Sequence, residues 1–260
     1  MRLTLDRYAY LDSPLHRWAP RHRLVGLTAL IFALSFVRDL RLLPPMIAVA
    51  LGLYAVAGMP LSFLLTRLRT PGFFLLAMAL LLPFFSGSTV LLQVGPLALR
   101  QEGCLDLLRV VAKFTAILTL TLVLFGVAPF LSTIKAMRSL GLPPILADMT
   151  LLSYRYVYEI GDDLARMERG MRLRGFRARR PSGRTLGDVA ALAGSLLVRS
   201  YERSERVYKA MVLRGYGRSA LTPEEMEYDS SDILLLGGTL LLAAGFVIAE
   251  LILRGGGGIL

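Results

Sequence analysis

The chain has 260 residues, 55% of them hydrophobic, and its 30 Lys and Arg against 19 Asp and Glu give a formal net charge of +11. A mean hydropathy of +0.57 excludes an ordinary soluble domain and predicts an integral membrane protein. The single cysteine, Cys104, excludes an intrachain disulfide.

Five apolar runs mark candidate membrane spans, at residues 24–37, 42–58, 71–86, 114–128 and 233–253. Only the last reaches the roughly 20 residues needed to cross ~30 Å of hydrocarbon, so the others must include flanking residues. The run 24–37 is short enough to be a core or re-entrant helix instead. We predict about five transmembrane helices, four in an N-terminal membrane domain (1–128) and one in a C-terminal segment (232–260).

Basic residues predict the orientation of these spans, because Lys and Arg near span ends accumulate on the cytoplasmic side. With the N-terminus inside, the inner segments are 1–23, 59–70 and 129–232, and the last holds more than half of the basic residues. Outer segments carry few charges. The pattern therefore predicts a cytoplasmic N-terminus and an outside C-terminus.

Two features lie near the predicted outer surface. The stretch 88–103 contains short β-prone runs broken at Gly95 and Pro96, which suggests a small outer β-hairpin. Arg109 and Lys113 lie four residues apart on one helix face, and Glu250 lies near the end of the fifth run. Charges inside a membrane point to function by default, but these positions favour side chains that snorkel to the interface.

The inner segment 129–231 is predicted to form a cytoplasmic coupling domain, since a loop this long is rarely structureless. Breaks at Pro129 and at 141–144 bound a short helix over 131–140. Two long helices follow, each with one apolar stripe, and the small residues of the second favour a close crossing. The stripes are Met149, Leu152, Tyr156, Ile160, Leu164, Met167 and Met171 on the first, and Leu186, Val189, Ala193, Leu197, Ser200, Ser204, Val207 and Met211 on the second.

Both long helices end in the same pattern, Met-Arg-Leu-Arg-Gly-Phe at 171–176 and Met-Val-Leu-Arg-Gly-Tyr at 211–216. We call these segments the two Arg-Gly ends. A Gly after the last turn supplies a left-handed cap, and an Arg there meets the negative end of the helix dipole. Capping therefore accounts for one such end.

Capping does not obviously require the two other shared features, the Met three residues before the Arg and the aromatic after the Gly. An Arg at a helix end suits carboxylates and backbone carbonyls in a groove of another protein, and Met packs adaptably into an apolar slot. We interpret Arg174, Gly175, Arg214 and Gly215, with Met171 and Met211, as docking residues. Their duplication suggests a two-fold symmetric partner.

Nucleic-acid binding and catalysis find little support. Basic residues between Arg172 and Arg184 satisfy a simple charge criterion, but acidic residues are interspersed, and positive-inside bias with anionic lipid accounts for much of the excess. The sequence has no Gly-x-x-x-x-Gly-Lys-Ser/Thr loop, so it should not hydrolyse ATP itself. His16 and His22 lack the context of a metal site. We expect no nucleic-acid partner and no catalytic residue, metal or cofactor of its own.

Taken together, these features resemble the transmembrane (T) component of energy-coupling factor (ECF) transporters, in its cobalt-type CbiQ branch. The segments Asp-Ser-Pro-Leu-His at 12–16 and Pro-Arg-His-Arg-Leu at 20–24 are similar to the N-terminal signature of that branch. Ser-Tyr-Arg-Tyr at 153–156 through Arg-Met-Glu-Arg-Gly at 166–170 resembles its first long coupling helix. The resemblance covers essentially the whole chain. The family motif is usually Ala-Arg-Gly or Ala-Arg-Ser, whereas both copies here have Leu before Arg174 and Arg214.

The resemblance implies an all-α membrane subunit that couples other proteins. Two cytoplasmic ABC ATPases (CbiO-like) would bind ATP and Mg2+, and a substrate-binding membrane subunit (CbiM-like) would take up Co2+, with Ni2+ as the alternative. A small membrane subunit (CbiN-like) is a further candidate partner. The complex would lie in the lipid bilayer of a bacterial or archaeal cell (inner) membrane, with Arg174 and Arg214 each inserted into one ATPase.

Two alternatives stay open. A self-sufficient secondary transporter or channel often carries repeats within the membrane, whereas this repeat is predicted to be cytosolic. A membrane-bound enzyme acting on phosphorylated lipids would need clustered acids, bases or a metal at the inner surface. Asp162, Asp163 and Glu168 are the nominees for such a cluster.

Overall fold

A computed structural model describes residues 13–85, 90–94, 97–176, 183–216 and 230–256. The contacts between these residues divide the chain into two units. We call the described residues up to 140 together with 230–256 the membrane unit. We call 141–176 with 183–216 the two-helix unit.

Helices form nearly all of the membrane unit. Its elements are α1 (Pro14–Arg17), α2 (Pro20–Phe36), a 3-10 turn (Leu40–Leu42), α3 (Leu43–Val56), α4 (Leu61–Phe85), β1 (Val90–Val94), β2 (Leu97–Arg100), α5 (Gln101–Gly126), α6 (Phe130–Ser139) and α9 (Ser230–Gly256). Pro occupies the first turn of α1, α2 and α3, where its missing N–H costs no hydrogen bond.

Two of the described helices are long and apolar enough to cross a membrane: Leu105–Gly126 within α5 and Ser231–Arg254 within α9. Helices α2 and α3 are shorter, at 17 and 14 residues. Helix α4 has 25 residues and begins at Leu61, so it includes most of the segment 59–70 that we predicted to be an inner loop. The count of five spans stays a prediction.

The core of the membrane unit forms where α2 packs against α9 and α5, while α3 and α4 pack against α5. One cluster of buried residues includes Leu30, Met46 and Leu120, and a second includes Trp18 and Tyr54. The short helix α6 packs against α2 through a buried face and therefore belongs to this unit. This differs from our prediction, which placed this short helix with the two long helices in segment 129–231.

The two short strands lie in the stretch where the sequence suggested a hairpin. β1 pairs antiparallel with β2, with Val94 opposite Leu97 and an irregularity between Val90 and Leu92. The location of this hairpin outside the membrane stays a prediction.

The interpretation of Glu250 as a snorkelling side chain is wrong. Its side chain is 1% exposed, its Oε2 accepts a hydrogen bond from the backbone N–H of Asp39 at 3.1 Å, and its Oε1 accepts one from Arg254 Nε at 2.9 Å. Lys113 Nζ donates to the carbonyl of Ser35 at 3.0 Å. Glu250 and Lys113 thus form hydrogen bonds with backbone atoms near the end of α2. These bonds explain why the two charged side chains lie among the helices.

The two-helix unit consists of α7 (Pro144–Leu173) and α8 (Gly183–Leu213). The predicted stripe of α7 is half-buried from Leu152 to Met171, whereas Met149 is exposed. On α8 the predicted stripe is wrong in its first half, because Leu186 and Leu197 are 72% and 73% exposed. The half-buried face of α8 instead follows Leu192, Leu196, Ser200, Arg203, Val207 and Met211.

Candidate functional site

Both Arg-Gly ends adopt the same backbone cap. At the end of α7 the N–H of Gly175 donates to Arg172 O at 3.1 Å and the N–H of Phe176 donates to Met171 O at 3.0 Å. At the end of α8 the corresponding bonds run from Gly215 to Val212 and from Tyr216 to Met211, each 3.0 Å. The two ends thus match in hydrogen bonding as well as in sequence.

This pattern is the Schellman cap, in which the first residue beyond the helix takes a left-handed conformation. Gly175 and Gly215 have φ of 90° and 84°, a region that side chains with a Cβ disfavour. The Schellman cap usually brings together the side chains at two positions, which here hold Met171 with Phe176 and Met211 with Tyr216. Capping is therefore sufficient to account for the shared Met and aromatic, and a docking role for Met171 and Met211 stays a prediction.

Capping does not require the Leu between the Met and the Gly, although the helix dipole favours the Arg beside it. Leu173 and Leu213 are 90% and 88% exposed, and Arg174 and Arg214 are exposed beside them. A helix end in water has no need for an apolar side chain there. Each end therefore presents one large apolar group next to one guanidinium, which suits an apolar pocket bordered by carboxylate or carbonyl oxygens.

The two leucines were not among the candidate site residues predicted from the sequence. Their signal was present, because Leu recurs at the same position of both ends. We assigned the docking role to Met171 and Met211 instead, and both of these side chains are half-buried.

The two helices run antiparallel, which separates the Arg-Gly ends. Tyr216 Oη donates to Asp148 Oδ2 at 3.2 Å, and Arg203 Nη2 lies 2.9 Å from Asp163 Oδ2. As the contacting residue on α7 advances from 148 to 163, the residue that it meets on α8 moves back from 216 to 203. Arg214 accordingly lies near position 150 of α7, about 35 Å along the helix axis from Arg174.

Two of the three carboxylates considered for an enzymatic site, Asp163 and Glu168, form ion pairs with arginines. Asp163 accepts a hydrogen bond from Arg166 and forms an ion pair with Arg203, and Glu168 lies 3.8 Å from Arg172. The hydrogen bond from Arg166 and, after it, the one from Arg203 lower the pKa of Asp163. A carboxylate held ionised in this way is unsuited to general acid catalysis.

The two-helix unit lacks a core of its own in the part that the structure describes. Among the described side chains of 141–176 and 183–216, only Ala147 is buried. Two helices joined by a half-buried face bury little apolar surface, and isolated helices are marginal in water. This exposure is typical of a segment that other proteins cover in an assembly.

The chain is similar along most of its length to proteins of known families. A family model described as "CbiQ: Cobalt transport protein" matches residues 12–225, which include both Arg-Gly ends. The energy-coupling factor transporter transmembrane protein EcfT of Thermosediminibacter oceani is 23% identical over 265 residues, covering 96% of this chain and 98% of the relative. EcfT of Listeria innocua is 28% identical over 227 residues, covering 83% and 85%. The cobalt transport protein CbiQ of Rhodobacter capsulatus is 27% identical over 219 residues, covering 82% and 84%.

Proposed function

This chain belongs to the CbiQ family of cobalt transport proteins, and we propose that it couples two cytoplasmic ATPases to a substrate-binding membrane subunit through its two Arg-Gly ends. The observation that carries the proposal is the pair of matching caps, each with an exposed Leu and an exposed Arg. Two equal ends on one chain suit two equal partners.

The chemistry of each end defines the surface that it would bind. The guanidinium of Arg174 or Arg214 would donate hydrogen bonds to carboxylate or carbonyl oxygens in a groove of one ATPase, as a planar donor with fixed geometry. The neighbouring Leu173 or Leu213 would fill an apolar pocket beside it. The rigid cap holds both side chains at a defined position, which reduces the entropy lost on binding.

The antiparallel helices would convert motion of the ATPases into motion of α7 relative to α8. When two ATPases approach each other around ATP, groups attached to them approach as well. With one end on each ATPase, the angle between α7 and α8 would change. This role needs no catalytic residue in the chain, since ATP and Mg2+ would bind only to the partners.

The family and the names of its members support Co2+ as the transported ion, with Ni2+ as the alternative. The remaining partners would be a CbiM-like substrate-binding subunit and a small CbiN-like subunit in the same bilayer. We place the complex in a bacterial or archaeal cell (inner) membrane, with the N-terminus cytoplasmic and the C-terminus outside. The basic inner segment supports this orientation.

The test is the double variant Arg174→Glu with Arg214→Glu in the full complex. We expect it to abolish co-purification of the ATPases while the chain still inserts into the membrane, and each single variant should weaken assembly less. A matched control is Arg169→Glu with Lys209→Glu, which changes the same charge at equivalent positions of the same helices. The control should retain the ATPases.

Two outcomes would contradict the proposal. One is normal ATPase stoichiometry and normal ATP-driven transport in the Arg174→Glu, Arg214→Glu variant. The other is transport by the reconstituted chain without any ATPase, which would instead support a self-sufficient transporter or channel.

A further inference from the structure

The repeat between α7 and α8 extends well before the Arg-Gly ends when positions 40 residues apart are compared. From 148 to 174, charged residues occupy both copies at seven positions. The sign of the charge is the same at five of them: Asp148 and Asp188, Asp162 and Glu202, Arg166 and Arg206, Arg169 and Lys209, Arg174 and Arg214. It is reversed at two, Glu159 and Arg199, and Asp163 and Arg203.

One reversed pair, Asp163 and Arg203, meets directly in the structure, and Glu159 of the other reversed pair also contacts Arg203. Arg203 Nη2 lies 2.9 Å from Asp163 Oδ2, and Arg203 Nη1 lies 3.4 Å from Glu159 Oε1. In a pair of helices related by a two-fold axis, a residue faces its own equivalent only at the axis. Like charges there would repel each other, whereas the opposite charges at 163 and 203 attract and so suit such an arrangement.

The contact also lies midway between the two Arg-Gly ends. Asp163 precedes Arg174 by as many residues as Arg203 precedes Arg214, so each helix extends about 16 Å from the contact to its end. The Asp163 and Arg203 side chains are 13% and 27% exposed, less than most charged side chains of this unit for which an ion pair is described. The ion pair is thus the midpoint of two arms of equal length.

We propose that Asp163, Arg203 and Glu159 form the pivot about which α7 and α8 turn, so that both Arg-Gly ends move by equal amounts. This inference rests on the proposed function, because the motion comes from the bound ATPases. Glu159 and Asp163 lie one helical turn apart on α7, and the guanidinium of Arg203 contacts both. Its several donors let it shift between the two carboxylates as the angle changes, without losing its partners.

The pivot is tested in the full transporter with Arg203→Met, Asp163→Asn and the two combined. We expect normal co-purification of the ATPases and a several-fold loss in ions transported per ATP hydrolysed. Arg203→Met should lose more than Asp163→Asn, which leaves the contact with Glu159, and the double variant should lose no more than Arg203→Met alone. Arg203→Lys keeps the charge but cannot bridge two carboxylates in the same way, so its loss should be smaller.

A distance measurement separates positioning from a general loss of structure. Spin labels at the equivalent positions 172 and 212, with Cys104 replaced by Ser, report the separation of the two ends. Wild type should give one narrow distance that shifts when a non-hydrolysable ATP analogue is added, and Arg203→Met should broaden it in both states. The control is Arg206→Met, whose side chain is 69% exposed and lies 4.0 Å from Glu202.

The results distinguish this inference from the proposed function. Normal transport per ATP and an unchanged distance distribution in Arg203→Met would overturn the pivot, even if Arg174→Glu with Arg214→Glu still prevents assembly. Equal losses in Arg206→Met and Arg203→Met would also overturn it. If the ATPases remain bound to the Arg174→Glu, Arg214→Glu variant, the proposed function itself fails.

Discussion

At the scale of single residues, the leucine of each Arg-Gly end is an exposed side chain that the cap does not require and that a partner would bury. A hydrophobic side chain that is almost fully exposed gains about 1.5–3 kcal/mol when a partner buries it. The cap itself needs the Gly and favours the apolar pair at Met171 and Phe176, but it places no demand on Leu173.

We therefore predict that Leu173→Ala and Leu213→Ala each lower the affinity for the ATPases about tenfold or more, without destabilising the free chain. Ala is a good helix former, so the cap should persist. Affinity can be measured by titrating the purified ATPases onto the chain in nanodiscs. Leu197→Ala is the matched control, since Leu197 is 73% exposed in the middle of α8. An equal loss in that control would show a non-specific effect of lost apolar surface.

At the scale of elements, the close approach of α2 and α9 depends on Gly26. A Cβ added there would lie 2.5 Å from Thr239 Oγ1 and 3.1 Å from the ring of Trp18. We predict that Gly26→Ala destabilises the membrane unit by about 1–3 kcal/mol, because the helices must separate to admit the methyl group.

Thr239→Ala should recover part of the stability that Gly26→Ala removes, because it deletes the nearest clashing atom. Gly52→Ala is the control, since a Cβ at Gly52 meets nothing within 4 Å. The measurement is thermal unfolding of the detergent-solubilised chain. If Gly26→Ala unfolds at the wild-type temperature, the close packing of α2 on α9 does not limit stability.

The ion pair between Asp163 of α7 and Arg203 of α8 should weaken only as the pH falls. The hydrogen bond from Arg166, followed by that from Arg203, lowers the pKa of Asp163, with Glu159 as the other nearby acid. A lowered pKa in the folded state means that the stabilisation is complete above the ordinary aspartate pKa of about 4 and is lost as the pH falls through the folded value.

The distance between labels at 172 and 212 should therefore stay constant from pH 8 to pH 5. Below about pH 4 it should broaden towards the distribution of Asp163→Asn, which mimics the protonated acid. A change between pH 8 and pH 5 would indicate that another group controls the crossing.

Structural features could be predicted from the sequence where they depend on neighbouring residues, and not where they depend on contacts with distant ones. The two long helices, their Gly caps and the exposed arginines follow from nearby residues, and the sequence indicated them correctly. Burial of Glu250 depends on the backbone N–H of Asp39, far away in sequence, so hydropathy could not indicate it. The predicted and observed faces of α8 coincide at Ser200, Val207 and Met211 and differ by one residue at the other positions from 192 to 204, because small residues such as Ala193 fit either face and leave the exact position of the stripe undetermined.

At the scale of the whole molecule, the two units differ in how they are stabilised. The membrane unit has clusters of buried residues around α2, α3 and α5. The two-helix unit has almost no buried side chain in the part of 141–216 that the structure describes. If it couples ATPases as proposed, its stability in the complex should come largely from the bound partners, and its backbone should report assembly.

We predict that adding the ATPases slows amide hydrogen exchange at both Arg-Gly ends, 171–176 and 211–216, and by similar amounts. The physical reason is that a bound partner removes both ends from water and stops the caps from fraying. Exchange is measured by mass spectrometry on the chain in nanodiscs, with and without ATPases, and the middle of α8 around Leu197 serves as an internal control. The Arg174→Glu, Arg214→Glu variant should show no protection. Protection of only one end in the wild type would mean that the partner is not a symmetric pair, and the equal arms on either side of Arg203 would then need another explanation.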